Sequence, residues 1–187
     1  MTMRILFVCS GNICRSPLGA QVLEARLGPD APAFTVESAG TIADDGALMD
    51  ETAAAQSSRL GGEPSTHRSR YLTEQIAASA DLVLTAERSH RAAVVSLAPR
   101  AAKRAFTIKQ FARVLDGLEP GDLAGIETAQ DLVDRVARLR GTVPPPADPA
   151  DDDVDDPYRR SEDTHVRVAD EIDAALTPIA DALRALR

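Results

Sequence analysis

The sequence predicts an α/β fold with one four-stranded parallel sheet and helices on both of its faces. Three observations support this prediction. Short apolar runs alternate along the chain with longer runs of helical spacing, an order typical of parallel strands joined by helical crossovers. The apolar runs have the character of buried strands, as expected where helices cover both faces of a sheet. The chain has 187 residues, 44% of them hydrophobic, which favours a single domain with a sizeable core.

The first half of the chain contains two predicted strands, each followed by a predicted helix. The run RILFV is short, apolar and partly β-branched or aromatic, which is typical of a buried strand. The run after it has apolar residues at helical spacing and is ended by Gly-Pro, and the second helix is ended by Gly-Gly. In chain order these elements are expected at 4–8, 17–27, 33–38 and 50–60.

The second half continues the alternation with two more strands. The run DLVLT predicts the third strand, and Pro99 ends the helix that follows it. The last helix of the chain carries most of its apolar residues on one stripe. In chain order the elements are expected at 81–85, about 87–97, 104–108, within 122–140, and from 161 to about 184.

The composition excludes several classes of partner and setting. The chain carries 21 basic and 29 acidic residues, a net charge of −8, which argues against nucleic acid and against anionic membrane surfaces as partners. There is no apolar run of about 18 residues, so no membrane span is expected, and the first residues do not resemble a signal peptide. The two cysteines, Cys9 and Cys14, are too few for a disulfide framework, so a cytoplasmic setting is expected.

The segment 144–156, PPPADPADDDVDD, has an unusual composition, with four prolines and six aspartates. Such a composition cannot pack a core, so we expect an exposed, mobile loop. The single helix after it cannot form a domain alone, so the segment is interpreted as an insertion within one domain that spans 1–187. Its negative field could favour basic partners, or the segment could be a spacer without a binding role.

The motif that carries chemistry is CSGNICRSP, residues 9–17, between the first strand and the first helix. Ligands of open α/β sheets bind at this end of the strands. Gly11 and Asn12 are the residue types that most easily take left-handed backbone conformations, which lets successive N–H groups converge on one point. Pro17 suits the first position of the helix. The motif therefore predicts a loop that binds phosphate-like anions at a helix N-terminus.

A cysteine and an arginine stand at opposite ends of this loop. A cysteine at the end of a buried strand is usually only a core residue. Here the N–H dipoles and Arg15 favour the thiolate of Cys9, and a thiolate below a bound phosphate is an in-line nucleophile at phosphorus. Arg15 can hold two phosphoryl oxygens in a bidentate fork. The Ser16 hydroxyl can donate to the thiolate and help it leave in a second step.

These residues resemble the phosphate-binding loop of the low-molecular-weight protein tyrosine phosphatases. Three further stretches are similar to motifs of that family: the SAGT at 38–41, the third strand with its charged helix start, and the DPY at 156–158. The resemblance extends over nearly the whole chain. It implies a four-stranded parallel sheet with flanking helices, in agreement with the elements predicted above, and a phosphatase that needs neither metal nor cofactor.

The resemblance also implies roles for individual residues. Cys9 would form a phosphocysteine, Arg15 would bind the phosphoryl group, and Ser16 would stabilise the thiolate. Asn12 would hold the left-handed turn, supported by His67 in the stretch THRSR. The full set of phosphate-binding residues would be Ser10, Gly11, Asn12, Ile13, Cys14, Arg15 and Ser16.

Two assignments stay open at this point. The resemblance makes Asp156 the general acid and base, because the acid stands directly before Pro-Tyr, but Asp155 is a rival within the same acidic run. In the family a second loop cysteine can form a disulfide with the nucleophile, so Cys14 could protect Cys9 from oxidation. Alternatively, Cys14 is a buried thiol that only packs.

The substrate is less well defined than the reaction. Only 3% of the residues are aromatic, and Tyr158 is the only obvious wall for a phenyl ring. Ile13 resembles the tyrosine-directed members, whereas phosphoarginine-directed relatives tend to have a smaller Thr there. A phosphotyrosine-bearing protein or a small aryl phosphate is therefore the expected substrate, handled by a monomer or weak dimer.

Two alternatives remain for the function. One is arsenate reduction with an external small thiol, since no cysteine follows Cys14 to carry a disulfide onward. The other is a non-enzymatic module that binds oxyanions or senses redox state through the two cysteines. The acid at Asp156 argues against the second, because anion binding gains nothing from a nearby carboxylate.

Overall fold

The computed structural model of the protein describes residues 2–186, and its four strands form one parallel sheet. The strands are β1 (Met3–Cys9), β2 (Phe34–Gly40), β3 (Leu82–Thr85) and β4 (Ala105–Thr107). Their order in the sheet is β2-β1-β3-β4, so β1 lies between two neighbours. The register pairs Cys9 with Gly40 of β2 and Val8 with Thr85 of β3. The carboxyl ends of three strands therefore meet around Cys9.

Seven α-helices connect and flank these strands within the described residues. They are α1 (Arg15–Leu27), α2 (Glu51–Arg59), α3 (Glu74–Ser79), α4 (Arg88–Leu97), α5 (Ile108–Asp116), α6 (Ala129–Leu139) and α7 (Glu162–Arg184). Between residues 2 and 186, none of the helices combines the length and the apolar character that crossing a bilayer requires.

The sheet is buried on both faces because its side chains alternate between two hydrophobic clusters. In β1, Ile5, Phe7 and Cys9 face the larger cluster, whereas Leu6 and Val8 face the smaller one. The larger cluster is completed by α1, α2, α5, α6 and α7, and the smaller one by α3 and α4. The predicted fold class, a parallel sheet with helices on both faces, is confirmed.

The structure differs from the predicted elements at two short helices and at several element boundaries. Helices α3 and α5 are not predicted, and α5 starts at Ile108, where the sequence predicts the end of the fourth strand. The reason is a local cap, since the Thr107 side chain accepts from the N–H of Gln110. Helix α1 starts at Arg15 rather than at Pro17, which brings the arginine into the first turn.

The acidic segment 144–156 is only partly the exposed loop that its composition predicts. Residues 149–152 form a 3₁₀ turn, Asp152 is buried, and Val154 is fully buried in the larger cluster. The Val154 N–H donates to the carbonyl of Ala86 at 2.8 Å, just beyond the end of β3. The expectation that this segment packs no core is therefore wrong at its C-terminal end, where one apolar residue docks among aspartates.

Candidate active site

The loop between β1 and α1 turns its carbonyl groups outward. Four loop carbonyls accept hydrogen bonds from residues outside the loop. A trans peptide holds its N–H opposite its C=O, and the described residues contain no cis peptide. The N–H groups that follow these carbonyls therefore point towards the inside of the loop, where they can bind an anion. The four bonds, of 2.7–3.0 Å, run to Cys9 from Thr41, to Ser10 from Ile42, to Asn12 from His67, and to Ile13 from Asp50.

Asn12 holds the curvature of this loop. Its φ is 54°, in the left-handed region that asparagine tolerates better than most residues, and it is fully buried. Its side-chain oxygen accepts from the N–H of Arg70 at 2.8 Å, and its amide nitrogen donates to Ser16 and Ser38 at 2.9 and 2.8 Å. The predicted left-handed turn thus occurs at Asn12, but Gly11 has no positive φ.

The His67 side chain contacts the backbone carbonyl of the same asparagine. Its Nε2 lies 2.7 Å from the Asn12 carbonyl oxygen, so Nε2 must carry a proton and donate. Burial lowers the pKa of His67, against the opposing effect of this hydrogen bond. The sequence prediction that His67 supports Asn12 therefore has a structural counterpart, a second anchor from the segment after α2.

Cys9 and Ser16 lie side by side at the floor of the loop. Both are buried, and Sγ of Cys9 is 3.0 Å from Oγ of Ser16. The Ser16 oxygen already accepts from Asn12, so its single proton has two acceptors within reach, the sulfur at 3.0 Å and the Ala39 carbonyl oxygen at 3.4 Å. The pair is arranged for the serine to donate to a thiolate.

Cys14 lines the same pocket as Cys9, and both are free thiols in this structure. Burial, reinforced by the negative charges of Asp50 and Asp156, raises the pKa of the Cys14 thiol. Cys14 is therefore a neutral thiol near neutral pH, and the disulfide implied by the family resemblance remains a prediction.

Arg15 is held from two sides at the start of α1. Its side chain is 2% exposed and donates to the Glu87 carboxylate and, at 2.9 Å, to the carbonyl oxygen of Val154. The Asp156 carboxylate lies 3.3 Å from the same guanidinium. Its buried Nε meets no acceptor among the described residues. A guanidinium fixed in this way, with a donor unused, is suited to a bidentate grip on phosphoryl oxygens.

Glu87 and His90 belong to the site although the sequence does not predict them. Partial burial raises the pKa of Glu87, but the hydrogen bond and charge of Arg15 outweigh it, so the pKa lies below its ordinary value. The N–H of Glu87 donates to Nδ1 of His90, so Nε2 carries the ring proton and donates to Ser10 at 2.8 Å. The sequence feature that could have identified Glu87 is its position just after β3, at the edge of the sheet where ligands bind.

The structure separates the two candidate acids. Asp156 lines the pocket and approaches Arg15, and its Oδ1 accepts from the N–H of Tyr158 at 3.2 Å. Asp155 turns away and pairs with Arg167 at 2.9 Å. Of the two, only Asp156 is placed where it could reach a bound phosphate ester.

A pocket of about 230 Å³ opens above the loop. The sequence predicts one apolar wall, Tyr158, and the structure adds a second, Ile42, which is 74% exposed. Sequence reasoning missed Ile42 because an isoleucine in a surface loop belongs to no periodic pattern. Beyond the loop residues and Asp156, the lining consists of Ile42, Asp44, Ala47 and Tyr158.

Gly40 fixes how closely β2 approaches this loop, which gives a first prediction. A Cβ at Gly40 would meet the carbonyl oxygen of Ser10 and lie 2.8 Å from the nitrogen of Asn12, both backbone atoms. We expect Gly40→Ala to lower the free energy of unfolding by about 1–3 kcal/mol. A loop displaced by about 1 Å also costs roughly 10²-fold in activity, so kcat/KM for an aryl phosphate should fall steeply.

Thermal unfolding and steady-state kinetics of Gly40→Ala check this prediction. Gly141→Ala is the control, because a Cβ there meets nothing within 4 Å. Equal stability and activity in the two variants would show that the loop is not set by this contact.

Fold and site together define the class of protein: a parallel α/β protein whose first strand ends in an anion-binding loop with a buried cysteine and arginine. Residues 4–119 match the family model described as low molecular weight phosphotyrosine protein phosphatase. The chain therefore belongs to this family, whose members are cysteine-dependent phosphatases, and the predicted membership is confirmed.

Individual relatives agree with this membership. A protein-arginine-phosphatase of Geobacillus stearothermophilus is 36% identical over 145 residues, which cover 73% of this chain and 95% of that protein. The low molecular weight protein-tyrosine-phosphatase Etp of Escherichia coli K12 is 41% identical over 51% of this chain and 62% of that protein. The structure of Vibrio vulnificus Wzb in complex with benzylphosphonate superposes with a TM-score of 0.70 at 27% identity, covering 98% of this chain and 100% of that one.

Proposed function

We propose that the protein hydrolyses phosphotyrosyl residues of proteins, with Cys9 as nucleophile, Arg15 as phosphoryl-binding residue and Asp156 as general acid and base. The observation that carries the proposal is the position of the Cys9 sulfur. It lies at the floor of a loop whose N–H groups face inward, beside the Ser16 hydroxyl and in the same pocket as an Arg15 guanidinium anchored by Glu87.

The first step would transfer the phosphoryl group to sulfur. The Cys9 thiolate attacks phosphorus, the S–P bond forms, and the bond from phosphorus to the phenolic oxygen breaks. Asp156, in its protonated form, gives its proton to the leaving oxygen. Arg15 and the inward N–H groups stabilise the charge on the phosphoryl oxygens during transfer.

The second step would release inorganic phosphate. Asp156, now a carboxylate, takes a proton from water, and the water oxygen attacks phosphorus. The S–P bond breaks and the sulfur leaves as a thiolate, which the Ser16 hydroxyl stabilises from 3.0 Å. The protein returns to its starting protonation state, and no electron is gained or lost.

The pocket walls support phosphotyrosine as the substrate. Ile13, Ile42 and Tyr158 offer apolar surface to a phenyl ring above the loop.

A second candidate substrate, phosphoarginine, is favoured by a specific observation. Asp44 is exposed at the pocket mouth and could face a guanidinium, and one relative is named a protein-arginine-phosphatase. The two substrates differ in the group next to phosphorus, so they can be compared directly.

Two phosphopeptides with the same flanking residues test this choice. We expect kcat/KM for the phosphotyrosyl peptide to exceed that for the phosphoarginyl peptide by at least about 10-fold, the discrimination that apolar contacts can provide. Ile13→Thr removes apolar surface from the pocket wall and should reduce the ratio of kcat/KM between the phosphotyrosyl and phosphoarginyl peptides. A higher kcat/KM for the phosphoarginyl peptide would make phosphoarginine the substrate. Thiol-dependent consumption of arsenate without phosphatase turnover would instead identify an arsenate reductase.

A further inference from the structure

Four consecutive residues before Asp156 are each held by an arginine from a different helix. This feature concerns the end of the acidic segment, residues 152–155, which we call the acid strap. No pattern in the sequence links these arginines: three of them are 39, 65 and 139 residues from their partner in the strap, and the fourth is 12 residues away. The contacts are Asp152 with Arg113 of α5, Asp153 with Arg88 of α4, the Val154 carbonyl with Arg15 of α1, and Asp155 with Arg167 of α7.

The contact of Arg113 with Asp152 is the most buried of the ion pairs in the strap. The guanidinium donates to both carboxylate oxygens, at 3.2 and 2.8 Å, and the two side chains are 25% and 11% exposed. Arg113 also donates to the carbonyl of Pro144 at 2.8 Å. Bidentate geometry with partial burial makes this a directional contact that orders the strap.

Arg88 holds the next residue through both its side chain and its backbone. The guanidinium donates to both oxygens of Asp153 at 2.9–3.2 Å, and the backbone N–H donates to the same carboxylate at 2.8 Å. Arg88 is the first residue of α4, so Asp153 also neutralises a helix N-terminus. Partial burial raises the pKa of Asp153, but the Arg88 contacts outweigh it and lower the pKa, so the carboxylate stays ionised near neutral pH.

Val154 connects these contacts to the reaction site. Its side chain is fully buried, its N–H donates to Ala86, and its carbonyl accepts from Arg15. Asp156 lies two residues further on and reaches the same guanidinium. The fourth contact, of Asp155 with Arg167, is exposed on both sides and contributes little.

We propose that Arg113 and Arg88 are positioning residues for the reaction, which hold the acid strap so that Asp156 lies within reach of the leaving oxygen. The inference rests on the proposed role of Asp156 as general acid. Neither arginine touches the pocket, so both act through the strap.

The test compares two substrates that differ in their need for a proton. Phenyl phosphate has a basic leaving oxygen that needs an acid, whereas para-nitrophenyl phosphate has a stable one that does not. General acids supply about 10²–10⁴-fold, so Asp156→Asn should lower kcat/KM for phenyl phosphate relative to para-nitrophenyl phosphate by about 10²-fold or more. We expect Arg113→Gln and Arg88→Gln each to lower the ratio of kcat/KM for phenyl phosphate to kcat/KM for para-nitrophenyl phosphate by roughly 10-fold, a smaller loss than that of Asp156→Asn.

The controls separate positioning from stability. Arg26→Gln removes a similar bidentate pair, with Asp173, far from the strap, and should leave the substrate ratio unchanged. Arg113→Lys retains the charge and should restore part of the ratio. If thermal unfolding shows that Arg113→Gln does not fold, Arg88→Gln carries the test by itself, because it removes a different contact to the same strap.

Two results would overturn different claims. If Asp156→Asn shifts the ratio but the folded arginine variants keep the wild-type ratio, the arginines are structural and the inference fails alone. If Asp156→Asn itself leaves the ratio unchanged, the proposed general acid is wrong, and the positioning role falls with it.

Discussion

Cys9→Ala is expected to abolish turnover of aryl phosphates and phosphotyrosyl peptides, lowering kcat by at least about 10⁴-fold. The reason is that the side chain beside Cys9 at the floor of the loop is the hydroxyl of Ser16, which is hardly ionised near neutral pH. Cys14 shares the pocket, but burial and the neighbouring negative charges raise the pKa of its thiol and keep it protonated. Cys9→Ser should also be inactive in steady-state turnover, because a hydroxyl is far less ionised than a thiol near neutral pH.

The Cys9 variants also separate chemistry from binding. The inward N–H groups and Arg15 do not depend on the sulfur, so Cys9→Ala should still bind inorganic phosphate, which calorimetry can measure. Thermal unfolding shows whether the core survives the loss of the buried sulfur. Near-normal turnover in a folded Cys9→Ala protein would contradict the proposed mechanism. Loss of phosphate binding together with turnover would indicate a collapsed loop rather than a missing nucleophile.

The part of the site that the sequence predicts is the part that is contiguous in the chain. Cys9, Asn12, Arg15 and Ser16 lie within eight residues, and the strand before them and the helix after them are both strong local patterns. Their approximate arrangement follows from local backbone geometry. One difference within this stretch is also local. The sequence offers both Gly11 and Asn12 for a left-handed conformation, but Asn12 alone adopts it and turns the loop.

The remaining parts depend on which strands are neighbours. Glu87 reaches Arg15 because β3 lies beside β1 in the sheet, an order that hydrophobic pattern alone does not determine. Asp156 was identified by resemblance rather than by physical pattern, since it is one of six aspartates in a short run. Only the structure distinguishes Asp156 from Asp155 as the candidate acid. The buried Val154 anchors the segment, and Asp156 then faces Arg15 whereas Asp155 faces Arg167.

The acidic segment shows how composition can mislead. Proline and aspartate predict a solvated loop, and most of 144–151 is exposed or half-buried, as that prediction requires. The error lies at residues 152–154, where a single valine and distant arginines outweigh the average character of the run. Pair contacts between residues so far apart in the chain leave no trace in local periodicity. Charge complementarity between a run of aspartates and arginines on separate helices could be recognised only after the fold is known.

Arg15→Lys is expected to lower kcat/KM for aryl phosphates by about 10²–10³-fold, although the formal charge is retained. The guanidinium contacts Glu87, the Val154 carbonyl and Asp156 from one planar group. A lysine ammonium cannot make these contacts and also hold two phosphoryl oxygens, because its three donors radiate from a single nitrogen. We also expect weaker binding of inorganic phosphate. Loss of donors at the half-buried Glu87 and the Val154 carbonyl should lower the free energy of unfolding by about 1–3 kcal/mol.

Arg26→Lys is the matched control for this variant. Arg26 lies in the last turn of the same helix and makes a bidentate pair with Asp173, at 2.8 and 2.7 Å, far from the pocket. The Arg26→Lys variant should keep kcat/KM and phosphate affinity close to the wild-type values, because only a partly exposed ion pair is altered. If Arg15→Lys behaved like Arg26→Lys, the arginine would serve as a simple point charge. The planar grip on the phosphoryl group would then have no role in the rate, and the inward N–H groups would have to supply the stabilisation alone.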